Sequence, residues 1–282
     1  MIEMNTHNPI KTLDLFRVLD SKLLELLSGL PPNDWGKVTL ASPWTVKDVA
    51  AHLLDGNIRT LSMLRDGYFG KKAPETESYR GLINYLNELN AEWVLAMKRV
   101  SPPILMQLLD QTGKEYADYL ATLPPNEKAV FSVAWAGEEE SQNWFHIARE
   151  YTEKWHHQQQ IRFAVGGQEE LYAPGLFRPY LETSLRALPH HYRNWEEDEG
   201  TALEFVITGD EEYRWLLCRE PEGWVLRQSS HYEPVCRVEI SQDIVWRIFS
   251  KGITPEEATK QVKITGRSAP GLKIVDMLAV MA

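Results

Sequence analysis

The fold class the sequence predicts is α + α/β: an antiparallel helical bundle followed by a small mixed α/β domain. Three observations predict it. Apolar residues recur at helical spacing through most of residues 9–165. Proline pairs and glycines interrupt those stretches at short intervals, as in bundles with short connections. After Gly166-Gly167 the chain changes to short β-rich runs separated by Gly, Asp, Glu and Pro turns. The domains are therefore expected at 1–170 and 171–282, with the boundary near 166–175.

The elements follow in order. Phe16, Leu19, Leu23, Leu26 and Leu27 share a helical spacing, and Gly29 supplies the stop. Pro31 and Pro32 break the chain. Ser42-Pro43-Trp44-Thr45 opens a second helix, with Thr45 as N-cap and Asp48 in the capping-box position. Val46, Val49, Ala50 and Leu53 form its apolar face. His52 lies at the edge of that face, and Gly56 at i+4 leaves the imidazole uncrowded. Residues 66–78 read as a loop, and a third helix is expected over about 79–100. Pro102-Pro103 starts a fourth helix, and Pro124-Pro125 closes it. A fifth and longest helix spans 141–165. A short helix near 179–188 precedes four strands, in TALEFVITGD, EYRWLLCRE, GWVLRQS and CRVEIS. DIVWRIFSKG reads as a helix, VKITG as a last strand and APGLKIVDMLAVMA as a closing helix.

The fifth helix carries the chemistry. Glu153 and His157 stand at i, i+4, so they stack on one face and can close on a single metal ion. His52 is the best candidate for a third ligand. His146 and Glu150 share the polar face and are weaker alternatives. His156 and His157 are adjacent, so they point about 100° apart and are not expected to serve one ion. Trp144, Ile147, Ala148, Tyr151 and Trp155 form an aromatic stripe opposite. The same pattern therefore also describes a solvated polar face with an incidental Glu–His pair. Arg59, Arg219, Arg237 and Arg247 are weakly supported candidates for holding a substrate carboxylate.

Composition narrows the function classes. Lys+Arg number 30 and Asp+Glu 40, a net charge of −10, so a nucleic-acid partner is not expected. No apolar run approaches the roughly 18 residues of a membrane span, so no membrane partner is expected either. The N-terminus lacks the basic-then-apolar order of a signal peptide, and a cytoplasmic location is expected. The two cysteines, Cys218 and Cys236, exclude a thiolate-rich zinc site. No Gly-rich phosphate loop and no Gly-x-Ser-x-Gly nucleophile motif occurs.

Two motifs resemble a known family. SPWTVKDVAAHLLDGNIRTL is similar to the Trp-Thr-Val-x-Asp-x-x-x-His-Leu opening of the mycothiol-dependent maleylpyruvate isomerase family, within the DinB/YfiT-like four-helix-bundle superfamily. REYTEKWHHQQQIRFAVG resembles its second motif, Glu-x-x-x-His followed by Ile-Arg or similar. The tail from VWRIFSKG to LKIVDMLAVMA resembles the sterol-carrier-like domain that often follows the bundle. The resemblance implies a metal site at His52, Glu153 and His157. Two departures stand out. Gln158-Gln159-Gln160 replaces the family's small residue, Gln and Asp, and Arg267 follows Gly266 where an acidic residue is usual.

Two imidazoles and a carboxylate leave an open position on a metal, which points to catalysis. Zn²⁺ fits these ligands, with Ni²⁺, Fe²⁺ or Mn²⁺ as alternatives. The resemblance implies a small-molecule substrate and a thiol cofactor, mycothiol or another low-molecular-weight thiol. The expected function is a metal- and thiol-dependent isomerase or transferase acting on a small electrophilic or unsaturated acid. A non-enzymatic metal or apolar-ligand binding protein, or a metal-dependent hydrolase using bound water, are the alternatives. The oligomeric state is not legible.

Overall fold

The structure is a computed structural model that describes residues 9–71 and 78–281. It divides into two compact units. One comprises residues 11–130 and 142–171. The other comprises Phe131–Ser141 and Tyr172–Met281, with the described residues before Lys11. Residues 72–77 of the expected loop lie outside the described residues.

The first unit is helical. Helix α1 (Leu15–Ser28) buries Phe16, Leu19, Leu23 and Leu27, and the N–H of Gly29 caps it by donating to Leu26 O. Helix α2 (Val46–Thr60) starts at the expected capping box, with the Thr45 side chain accepting from the Asp48 N–H and the Asp48 carboxylate accepting from the Thr45 N–H. It continues as one π-helical turn over Leu61–Arg65. Helix α3 (Tyr79–Met97) is capped by Ser78, and α4 (Pro102–Ala121) opens on proline, which has no N–H to leave unpaired. Helix α5 (Asn143–Val165) ends at Gly166, whose φ of 101° suits glycine. Helix α2 packs against α3, α4 and α5, and α1 packs against α4 and α5. Val46, Val49, Leu54, Leu105 and Ile161 are buried where these helices meet.

Helix α5 differs from expectation. Its aromatic stripe is buried, but so is most of the polar side: His156, Gln158, Gln159, Gln160 and Arg162 are each at most 3% exposed. Buried polar groups persist only where partners satisfy them. Here Gln158 Nε2 donates to Leu19 O at 2.8 Å. Arg162 donates to Gly167 O and Lys22 O at 2.9 and 3.1 Å. Lys154 Nζ meets Asp20 Oδ1 at 2.7 Å. Polar residues thus pack much of this side, while the Glu153 side chain stays 31% exposed.

The second unit holds one mixed five-stranded sheet. Strands β1 (Ala202–Thr208), β2 (Tyr213–Glu220), β3 (Gly223–Arg227), β4 (Pro234–Ser241) and β5 (Lys263–Gly266) lie in the order β3-β2-β1-β4-β5. Only the β1–β4 pairing is parallel. Central β1 buries Leu203, Phe205 and Ile207 as well as Ala202 and Val206, so side chains on both faces are covered. Among the described residues, this unit also contains the α-helices α6 (Pro174–Ser184), α7 (Ala187–Tyr192), α8 (Gln242–Phe249), α9 (Pro255–Thr259) and α10 (Ser268–Leu272). The single helix expected over 179–188 is thus two, broken at Leu185-Arg186. The expected closing helix stops early. Leu272 leads into one 3₁₀ turn, Lys273–Asp276, and Met277 turns extended. The Ala279 N–H then donates to Phe249 O at 3.0 Å, giving this stretch a partner outside any helix.

Candidate metal centre

The candidate site lies wholly in the helical unit. Its first wall is the N-terminal part of α2. Asp48 accepts from the Thr45 N–H at 3.0 Å and the Thr45 hydroxyl at 2.8 Å, and Lys98 Nζ lies 2.8 Å from its other oxygen. Burial pushes the Asp48 carboxyl up, but the Lys98 and Thr45 hydrogen bonds outweigh it and hold the carboxyl below its ordinary value. One turn on, Trp93 Nε1 of α3 donates to Ala51 O at 2.8 Å. These contacts fix the turn that carries His52.

The His52 ring packs between Trp44, 5.0 Å away, and His157, 4.6 Å away and edge-on. Its Nδ1 is buried without a hydrogen-bond partner. Burial, with His157, Arg59 and His156 nearby, holds its pKa well below the ordinary value. Gly56, one turn on, faces open space; a Cβ there would meet nothing within 4 Å.

Helix α5 supplies the second wall. Glu153 Oε2 lies 3.6 Å from His157 Nε2 and 4.0 Å from His156 Nε2. His157 Nδ1 sits 2.9 Å from Gln160 Oε1, and His156 Nδ1 sits 2.8 Å from Thr152 O. Both acceptors are oxygens, so each Nδ1 carries the proton and each Nε2 keeps its lone pair. Burial depresses His156 to about 4 and His157 to about 3. The imidazoles are therefore neutral at neutral pH, the form that binds metals. Burial also pushes the Glu153 carboxyl up, opposed by His157.

Glu153 and His157 thus meet, and the His52 ring packs against that of His157, with its donor atoms outside the tightest group. Among the described residues, the His/Cys/Asp/Glu group whose donor atoms all lie within 4.8 Å of one another is Glu153, His156 and His157. The expectation that adjacent His156 and His157 diverge is corrected. Their ring centroids are 4.0 Å apart, a closeness that side-chain rotamers can produce whatever the Cα directions. A helical wheel counts only Cα directions and misses this.

The weaker alternatives are occupied elsewhere. Glu150 accepts from Tyr116 at 2.8 Å and from Arg149 at 2.5 Å, and Arg149 also donates to His146 Nδ1 at 2.9 Å. Burial would raise Glu150, yet Arg149 and these bonds lower it to about 2. His146 falls to about 4, chiefly through burial. Sequence reasoning missed Arg149 and Tyr116, which complete this buried network behind Glu153. Among the candidate arginines, Arg59 pairs with Asp55 at 3.2 Å and Arg237 with Glu204 and Glu239 at 3.0 and 3.1 Å. Both are already matched by carboxylates.

Residues 16–162 match the sequence model described as "Mycothiol maleylpyruvate isomerase N-terminal domain". Two solved structures are similar over 94% of this chain and 95% of theirs. One is the mycothiol-dependent maleylpyruvate isomerase, at 15% identity and a TM-score of 0.53. The other is a histidine-to-alanine mutant of such an isomerase, at 14% identity and a TM-score of 0.54. At that identity the likeness shows a shared fold. No curated protein matches the chain.

Proposed function

The chain belongs to the mycothiol maleylpyruvate isomerase N-terminal domain family, and from that premise we propose that it is a metal- and thiol-dependent isomerase or transferase of a small unsaturated or electrophilic acid. The observation that carries this reading is the convergence of neutral imidazoles and one carboxylate, half-buried where α2 meets α5. His52, Glu153 and His157 would hold a divalent ion, with zinc the best fit to nitrogen and carboxylate donors. Bound there, the ion supplies Lewis-acid activation, lowering the pKa of a low-molecular-weight thiol such as mycothiol.

The chain's own residues prepare the site. Gln160 holds the His157 Nδ1 proton, so Nε2 faces Glu153. Where the family's motif has Asp, this chain has a neutral amide whose oxygen accepts this hydrogen bond. Asp48, Lys98 and Trp93 anchor the α2 turn that presents His52. Trp44 packs against the His52 ring, with 5.0 Å between ring centroids. The helical unit has no cysteine, so a small-molecule thiol would supply the sulfur.

The test is an isomerisation assay on zinc-loaded protein, with maleylpyruvate and mycothiol, and with other small thiols in parallel. Thiol-dependent cis-to-trans conversion that chelation abolishes is the expected result. His157→Ala should lower kcat/KM by about 100-fold or more. Conversion that proceeds equally well without thiol would overturn the reading.

A further inference from the structure

The proposed ligands His52, Glu153 and His157 leave one buried imidazole without a role. His156 is 3% exposed, in a position where an apolar side chain would fill the space without a polar atom to satisfy. Its Nδ1–H is used by Thr152 O, one turn back, at 2.8 Å. That bond fixes the ring and aims Nε2 at Glu153 Oε2, 4.0 Å away. His157 Nε2 approaches the same carboxylate oxygen at 3.6 Å. In a tetrahedral zinc site with bonds of about 2.0–2.2 Å, neighbouring ligand atoms stand about 3.4 Å apart. The His157 separation is within a few tenths of an ångström of that ligand spacing, and the His156 separation is about 0.6 Å wider. The donor atoms of Glu153, His156 and His157 converge more closely than any other such group among the described residues.

We propose that His156 Nε2 is a further protein ligand of the ion at this site. The inference rests on the metal reading above. It changes the character of the centre. With His52 drawn onto the ion as well, three imidazoles and a carboxylate would make four protein donors, so an exogenous ligand would enter by expansion to five-coordination or by taking the place of an imidazole. A centre built this way binds its ion more tightly and exchanges it more slowly than one with an open position.

The test is zinc X-ray absorption on the full chain, stripped by a chelator and reloaded with one equivalent of Zn²⁺. Three imidazole scatterers per zinc are expected; two would overturn the proposal while leaving the metal reading intact. Protein that retains no zinc after reloading would overturn both. His156→Asn gives a second readout, because its amide can still donate to Thr152 O while Nε2 is removed. Chelator competition should show zinc affinity falling about 10- to 100-fold in this variant. The cobalt-substituted protein should change its visible absorption spectrum. Wild-type affinity with an unchanged cobalt spectrum would contradict the assignment, whereas a purely structural histidine would lower stability and leave that spectrum alone.

Discussion

At the scale of single residues, the site depends on which proton sits where. Gln160 and Thr152 O take the Nδ1 protons of His157 and His156, so the lone pairs face Glu153. Gln160→Leu should therefore weaken zinc binding by about 10- to 100-fold with little loss of helix content, which chelator competition and circular dichroism can check. The Glu150 network makes a second prediction, in acid. Glu150 is depressed from 4.5 to about 2, so its stabilisation is complete above 4.5 and is lost as pH falls towards 2. His146 is depressed from 6.5 to about 4, so the folded state binds fewer protons than the unfolded chain below 6.5. It too loses stability as pH falls, between 6.5 and 4. Each shift corresponds to on the order of 3 kcal/mol, before their mutual coupling is counted. Urea unfolding from pH 7 to pH 3 should show this decline, and Glu150→Gln should flatten its lower limb. Within the site, the Glu153–His157 pair was legible because i, i+4 spacing alone brings such side chains together. His156 was not, because its convergence depends on rotamers that spacing does not specify.

At the scale of elements, local chemistry set the boundaries that could be read. Thr45 and Asp48 form the capping box that starts α2, Pro102 opens α4, and Gly166 ends α5. Each signal acts within a few residues, so the sequence displays it. The burial of α5 on its polar side was not legible. Its partners are Leu19 O, Lys22 O and Asp20, more than a hundred residues away in the chain. The closing helix failed for a related reason: its backbone finds Phe249 O instead. Two substitutions separate scaffold from site. Trp155 is fully buried on the aromatic stripe, with Nε1 donating to Leu171 O at 3.3 Å. Trp155→Ala should cost about 3–5 kcal/mol in chemical denaturation. Gly56 sits in α2 with open space around its missing Cβ. Gly56→Ala should raise stability by about 0.5–1 kcal/mol, and a loss of stability there would mean that the space is not free.

At the scale of the whole molecule, the division of labour follows composition. The helical unit carries His52, His156, His157 and Glu153, and the sheet unit carries both cysteines in its core. The helical-then-mixed order was visible as a change from helical spacing to short β-rich runs. The pairing of β1 with β4 across the intervening hairpin was not, because strand order is a property of the folded sheet. Among the described residues no helix is long and apolar enough to cross a membrane. If the chain is organised around a metal ion, ligand binding must be linked to folding. Free zinc at about 100 times its dissociation constant should stabilise the native state by about 2.7 kcal/mol, reversed by a chelator. The most direct measurement is zinc stoichiometry of the reloaded chain by elemental analysis, alongside His52→Ala, Glu153→Ala and His157→Ala. One ion per wild-type chain, lost in each folded variant, is the predicted result. A wild-type chain that binds no ion, or a His157→Ala variant that binds one as tightly as wild type, would contradict the account.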